Sequence, residues 1–382
     1  MRVLVTTTGG AGHLGPLVPF AEAIRAAGGE VLLATRESMA APAVAAGYDV
    51  WTFADAPAQE RSPIFEQAEK LPFDDGNILI VSEVFARLDS RAAMPRVLEA
   101  CESWRPDLVL SELCEFAGPI AAERAGLPAV RVGIGMSWLE KLVMEKTNAA
   151  LEDLRAELGL PRRPAAERLA DAPYFTLTPP LMEDPAAPGT PAMRRFRELD
   201  GAAAGPLPDW WPGDESLLIY LTFGSVVPRM PFFPGIYRAA IDALAPLRAR
   251  LLVTIGRDRD PAEIGPLPAN VRVEGWVPQA AVMPHAAAMV NHGGFGTVRA
   301  GLTAGVPMAV LPLFADQPYN ARRVAELGAG IQVAGADDLA AAARALLDDR
   351  AYAGAAAAVA EDVRALPTVD EAAEILGTLA SP

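Results

Sequence analysis

Residues 2–20, RVLVTTTGGAGHLGPLVPF, pass from a short apolar run through a glycine-rich turn toward a helical pattern, and the fold follows from how that passage is read. The run 2–7 predicts a buried strand, 17–27 a helix and 30–35 a second strand. Strand, helix and strand at this spacing mean a parallel sheet with helices on both faces. Gly10, Gly12 and Gly15 spell G-x-G-x-x-G, and Glu37 stands after the second strand, where a dinucleotide fingerprint places its acidic ribose contact. Two features weigh against a nicotinamide enzyme: Pro16 follows Gly15 directly, and a second glycine-rich site in the other half is left unexplained. His13, in the middle of the turn, gives a different reading. Flanking glycines let the backbone turn tightly, and an imidazole with an ordinary pKa of about 6.5 takes a proton at neutral pH. We read His13 as a general base rather than a structural loop histidine.

Further strands are predicted over 107–111 and 128–132. Between about 179 and 212 the periodicity stops and prolines crowd in, as PPLMEDPAAPGTP and then GPLPDWWPG, which predicts a linker. The alternation restarts over 217–222, 250–255, 271–274, 288–291 and 308–311. Two parallel-sheet domains in tandem are expected, residues 1–205 and 213–365, with a last helical segment, 366–382, crossing back to the first. Ligands of open parallel sheets sit at the carboxyl ends of strands, so the site is expected in a cleft between the two domains.

Composition narrows the function. At 382 residues, 51% hydrophobic and 21% charged, the chain suits two globular domains. A net charge of -15 gives no surface for nucleic acid or an anionic membrane. No apolar run is long enough to span a bilayer and no signal-peptide pattern opens the chain. Cys101 and Cys114 are the only cysteines, without metal-ligand spacing, which fits a reducing cytoplasm. No heptads signal oligomerisation, and a homodimer stays open.

The second glycine-rich site is VNHGGFGTVRAGLTAGVP, residues 290–307. A predicted strand gives way to His292, Gly293, Gly294, Gly296 and Thr297 and then to a helix. Free N–H groups at a helix N-terminus, its partial positive charge and the Thr297 hydroxyl make an anion cradle whose natural occupant is a diphosphate. Ser225, after Gly224 at the end of the strand 217–222, reads equally as a further phosphate contact or a plain turn. His285 has no glycine context and reads as structural, and Asp258-Arg259-Asp260, a D-x-D metal motif in form, reads as a solvated turn.

Together, GHLGPLVP at 12–19, GWVPQ at 275–279, HGGFGTVRAGLTAGVP at 292–307 and DQPYNARRV at 316–324 resemble the antibiotic-type, family-one nucleotide-sugar glycosyltransferases. The resemblance covers nearly the whole chain and is looser between about 51 and 100. It implies a GT-B fold: two Rossmann-like, doubly wound parallel-sheet domains facing across a cleft, the first for the acceptor and the second for the donor. It implies an inverting hexosyl transfer, with no metal and no cofactor, from a nucleotide sugar to a small hydrophobic natural product. By residue, it makes His13 the base and His292 and Thr297 phosphate contacts. Trp276 and Val277 become the nucleobase platform and backbone reader, Gln279 of the same motif joins the donor set, and Asp316 and Gln317 grip sugar hydroxyls.

The chemistry agrees. A nucleoside diphosphate leaves readily, so transfer needs one base and a cradle for the departing charge, whereas glycosidases usually need two carboxylates across the bond. A base histidine usually has a carboxylate behind it. Glu112 ends the predicted strand where relatives commonly carry Asp; with one more methylene it either pairs with His13 in shifted geometry or remains a solvated strand-end carboxylate. Ribose-donor relatives often carry an acid eight positions after the phosphate histidine; here that residue is Ala300, which favours a dTDP-sugar over a UDP-sugar. Acceptor contacts are expected from Phe53, Phe65, Phe85, Met136, Trp138 and Leu142, with 57–77 as a mobile loop over the acceptor. Two readings of the same fold stay open: a nucleotide-sugar epimerase and a non-catalytic nucleotide-sugar-binding auxiliary protein.

Overall fold

The computed structural model describes residues 1–164, 167, 172–190, 192–199 and 207–380. The chain forms two compact units. The first comprises Met1–Thr178, Glu183–Leu199 and Leu366–Pro382; the second comprises Pro179–Met182 and Asp200–Ala365.

The first unit is built on a seven-stranded sheet of order β3-β2-β1-β4-β5-β6-β7, every pair parallel. Its strands are β1 (Arg2–Thr6), β2 (Glu30–Arg36), β3 (Asp49–Phe53), β4 (Leu108–Glu112), β5 (Ala129–Val132), β6 (Tyr174–Thr176) and β7 (Met193–Arg195). Alternate residues of the central strands feed two cores, one on each face of the sheet. Leu4, Leu32, Ala34 and Val109 pack on one side with the helices Ser90–Trp104 and Ala117–Ala125. Val3, Val5, Leu33, Leu108 and Leu110 pack on the other with the helix Val18–Ala26. The helix Val369–Leu379 joins that second face through Val369, Ala372 and Leu376, all buried, and Arg197 and Thr368 form a parallel bridge beside it.

The second unit has a six-stranded parallel sheet of order β10-β9-β8-β11-β12-β13. The strands are β8 (Leu218–Thr222), β9 (Arg250–Thr254), β10 (Val271–Glu274), β11 (Ala286–Asn291), β12 (Met308–Val310) and β13 (Gly330–Gln332). In each sheet the order reverses beside the first strand in sequence, between β1 and β4 and between β8 and β11. Such switch points open a crevice at the carboxyl ends of the two strands, where ligands of open sheets bind.

Two expectations fail here. Residues 57–77 are not a loop: they form the helices Ala58–Ala68 and Phe73–Leu79, which lead into a wide-turn helical stretch, Ile80–Asp89. Pro63 and the mixed charges hide the helical pattern, and the helices are held by packing rather than by a strong apolar stripe. The expected linker 179–212 contains β7, an edge strand too short to show alternation, fixed by backbone pairing to β6. Residues 191 and 200–206 of that stretch, and 381–382 at the end of the chain, lie outside the described residues.

Candidate active site

In the first unit the chain leaves β1 through Thr7, Thr8, Gly9 and Gly10. Gly9 and Gly10 both adopt φ +91°, and a Cβ on Gly9 would lie 2.5 Å from Met39 Cγ, so a side chain there is excluded. Gly10 starts a single helical turn, Ala11–Leu14, that carries His13. His13 Nδ1 lies 3.1 Å from Glu112 Oε1. The longer glutamate therefore forms the dyad. Glu112, at the end of β4 next to β1, is fully buried. Its Oε1 also accepts from the Thr8 N–H at 3.2 Å and the Thr8 hydroxyl at 2.8 Å, and its Oε2 accepts from the Cys114 N–H at 2.7 Å. Burial alone would raise this carboxyl, but His13 and these donors outweigh it and hold it below the ordinary range, so it is an anion at neutral pH. With Nδ1 turned to the carboxylate, the other ring nitrogen, Nε2, carries the basic lone pair.

The Phe85 ring packs edge-on against His13, with centroids 5.5 Å apart. Phe53 and Phe85 line a cavity beside the dyad together with Thr8, Arg36 and Asp89. Of the other expected acceptor residues, Met136 is buried, Trp138 and Leu142 are half-buried at the start of the helix Trp138–Glu157, and Phe65 is exposed on its helix. Behind the dyad, buried Glu115 accepts from the Ala117 and Gly118 N–H groups, each at 2.9 Å, and from the Thr6 hydroxyl. Burial nonetheless pushes its carboxyl up to about 7. The Cys114 thiol lies close by: His13, Glu112 and Cys114 present atoms of metal-ligand type within 4.8 Å of one another, a proximity invisible in the cysteine spacing.

In the second unit β11 delivers Asn291 and His292, and the helix Phe295–Thr303 follows without a side-chain cap. The His292 ring is held between two glycines. A Cβ on Gly224 would lie 2.7 Å from its Cε1, and one on Gly294 would lie 2.5 Å from its Nε2. Burial lowers its pKa to about 4, so it is neutral at pH 7, and its Nδ1 has no hydrogen-bond partner among the described residues. Above Gly296, at the N-terminus of the helix, the space is open, and Thr297 is half-buried there. Asn291 Oδ1 accepts from the Gly293 N–H at 2.7 Å and fixes the turn. Ser225 is exposed after β8.

Gln317 is buried, and its side-chain carbonyl accepts from the Leu313 and Phe314 N–H groups at 2.8 and 3.0 Å. It therefore shapes the loop that presents half-buried Asp316, leaving only its amide nitrogen for a ligand. Ala315, directly before Asp316, holds a left-handed conformation at φ +56°, costly for a residue with a Cβ. Asn320 links the two loops, donating to the Gly293 carbonyl at 2.9 Å and to Asp316 Oδ2 at 2.8 Å. Trp276 is 49% exposed, with the Arg257 guanidinium stacked over one face of its ring at 3.6 Å from the centroid, while Val277 is buried. Gln279 is half-buried at the start of the helical turn Gln279–Val282. The D-x-D run serves structure: Asp258 pairs with Arg229, Arg259 donates to the Pro228 carbonyl, and Asp260 caps the turn Pro261–Ile264.

Residues 22–216 match the erythromycin biosynthesis protein CIII-like N-terminal domain and residues 238–379 the corresponding C-terminal domain. The chain belongs to the erythromycin biosynthesis protein CIII-like family. It is a glycosyltransferase of the antibiotic type. It is 34% identical to the elloramycin glycosyltransferase ElmGT of Streptomyces olivaceus over 99% of this chain and 97% of that one. Its structure is similar to the glycosyltransferase SnogD of Streptomyces nogalater (TM-score 0.78, 30% identity, 100% and 99% of the two chains). It is also similar to the glycosyltransferase SsfS6 of Streptomyces sp. SF2575 complexed with thymidine diphosphate (TM-score 0.80, 26% identity, 99% of each chain). These neighbours have the GT-B architecture, whose two Rossmann-like domains are the two units described above. No helix among the described residues is long and apolar enough to cross a membrane.

For this CIII-like glycosyltransferase, sequence reading missed Thr8, Asn291 and Asn320. Each holds a functional loop through its side chain, and only their places at strand ends or beside a glycine-rich turn could have pointed to them.

Proposed function

We propose that the chain transfers a deoxysugar, with inversion and without a metal, from a dTDP-sugar to a hydroxyl of a small hydrophobic natural product, with His13 as base. The carrying observation is the 3.1 Å pairing of His13 Nδ1 with a buried Glu112 carboxylate that is itself held by three hydrogen bonds. Nε2 takes the acceptor proton as its oxygen attacks the anomeric carbon, the bond to the diphosphate breaks, and Glu112 stabilises the imidazolium that results. Both Glu112 oxygens are engaged inside the protein, which favours direct displacement over a glycosyl-enzyme ester and hence inversion.

The second unit supplies the cradle. The N–H groups of Phe295 and Gly296, together with His292, are offered to the departing charge, while the Thr297 N–H already donates to the Gly294 carbonyl at 3.0 Å. That the two D-x-D carboxylates are occupied by Arg229 and by a helix cap supports a mechanism without metal. Ala300 in place of an acid, and the thymidine diphosphate bound by SsfS6, support dTDP over UDP. The test is His13→Ala with a panel of dTDP- and UDP-sugars. Transfer should fall by about 10²–10⁴-fold while dTDP affinity stays within about twofold. Full activity in the variant removes His13 as base, and equal turnover of UDP-sugars removes the donor assignment.

A further inference from the structure

We propose that the cavity beside the dyad receives a second hydrogen-bond-donating group of the acceptor and that Asp89 is the residue that reads it. This rests on His13 as the base. The cavity is about 10 Å³, the size that takes one hydroxyl or amino group. Phe53, Phe85 and Phe116 give it apolar walls and Thr8, Arg36, Asp89, Ser90 and Glu115 its polar ones; the Glu115 oxygens are already taken by Ala117, Gly118 and Thr6, and the Ser90 hydroxyl donates to the Phe85 carbonyl. Phe85 also touches His13, and Thr8 also holds Glu112, so whatever enters the cavity lies next to the base.

Asp89 is the unexplained group in it. The residue is 5% exposed, and neither carboxylate oxygen accepts a hydrogen bond among the described residues. Arg36, its ion-pair partner, stands at 3.6 Å while its Nε donates to the Thr8 carbonyl. Native proteins rarely leave a buried carboxylate without donors, and an exception points to a missing partner. Burial, only partly offset by Arg36 and Arg61, raises this carboxyl above its ordinary value, the direction expected of a group lacking donors. Asp89 also closes the wide-turn stretch Ile80–Asp89, a backbone irregularity that recurs at functional sites.

A carboxylate among aromatic walls accepts strongly from a phenolic hydroxyl or an amine and gains nothing from an ether. The acceptor class is therefore an aromatic carrying, beside the hydroxyl that is glycosylated, a second O–H or N–H donor. The probes are a dihydroxyanthraquinone, its mono-O-methyl ether and its amino-hydroxy analogue, each assayed with the wild type, Asp89→Leu and Asp89→Asn. The wild type should prefer the dihydroxy probe to the ether by about ten- to a hundredfold in kcat/KM, as for a lost hydrogen bond to a charged group. Asp89→Leu should bring that ratio near one with dTDP affinity unchanged, and Asp89→Asn should give an intermediate ratio. The amino-hydroxy probe tells whether an N–H serves as well as an O–H.

Where turnover of a probe is slow, the same ratio is read from dissociation constants by calorimetry. An unchanged ratio in Asp89→Leu, or an equal loss on every probe, overturns the proposal and assigns Asp89 to packing with Arg36. If Asp89→Leu does not fold, the isosteric Asp89→Asn decides alone: a ratio equal to that of the wild type rejects the proposal. Failure of the base assignment looks different, with His13→Ala still active whatever the Asp89 ratio does.

Discussion

Glu112→Gln isolates the charge behind the base. Glutamine has the same shape but only one acceptor oxygen, while glutamate takes Cys114 N–H on one oxygen and Thr8 and His13 on the other. If the amide nitrogen turns toward His13, Nδ1 must accept from it, and the ring proton moves to Nε2, where the substrate proton should arrive. If it turns the other way it meets the Cys114 N–H, and the imidazolium loses its counter-charge. For full unit charges 3.1 Å apart at an effective dielectric near 20, that attraction is about 5 kcal/mol, or nearly four decades in rate. Only part of a charge develops in the transition state and the His13 side chain is 24% exposed, so the expected loss in kcat is about 10²–10⁴-fold. The assay is single-turnover transfer at saturating dTDP-sugar, with dTDP binding and thermal unfolding as controls. Asp in place of Glu112 keeps the charge and should recover most of the loss. A Glu112→Gln enzyme retaining more than about a tenth of wild-type kcat, with intact binding, would refute the dyad as the source of base strength.

The other tests concern the second unit. Gly294→Ala leaves the backbone relaxed, since Gly294 sits at φ -60°, yet its Cβ would fall 2.5 Å from His292 Nε2. Displacing the ring should weaken dTDP binding by about tenfold or more without unfolding the protein, and unchanged calorimetric affinity would remove His292 from the cradle. His292 also predicts a pH signature. Its pKa is 6.5 when solvated and about 4 when folded, so between those values the unfolded chain binds more protons. Stability from this residue is complete above about pH 6.5 and falls by about 3 kcal/mol as pH drops toward 4. Urea unfolding at pH 7 and pH 4.5 should give a smaller difference for His292→Gln than for the wild type; parallel curves would show that burial does not hold this ring neutral.

What the sequence disclosed was local. His13, Glu112 and His292 each stand at or just after the end of a strand, and two are flanked by glycines, so a strand pattern and a turn signal are enough to find them. The residues that make the site work are brought in from far along the chain. Phe85 reaches His13 from a helical stretch in the part of the chain where the family resemblance is looser, and Arg36 reaches Thr8 from the end of β2. Asn320 joins two loops by packing that no periodicity records. Gln317 is instructive for the opposite reason. Its motif implied a sugar contact, but its carbonyl is taken by Leu313 and Phe314, and its place in the motif does not show how the two ends of the amide are divided.

The polypeptide passes from one unit to the other near 178, 182, 199 and 365, and ends as the helix Val369–Leu379 against Phe20 and Ile24 of the first. Grafting the first unit of one such enzyme onto the second unit of another therefore cannot be done with a single splice. An exchange at residue 200 alone would seat a foreign tail on a native core, so a working chimera has to carry residues 1–199 and the closing helix together, as one inheritance.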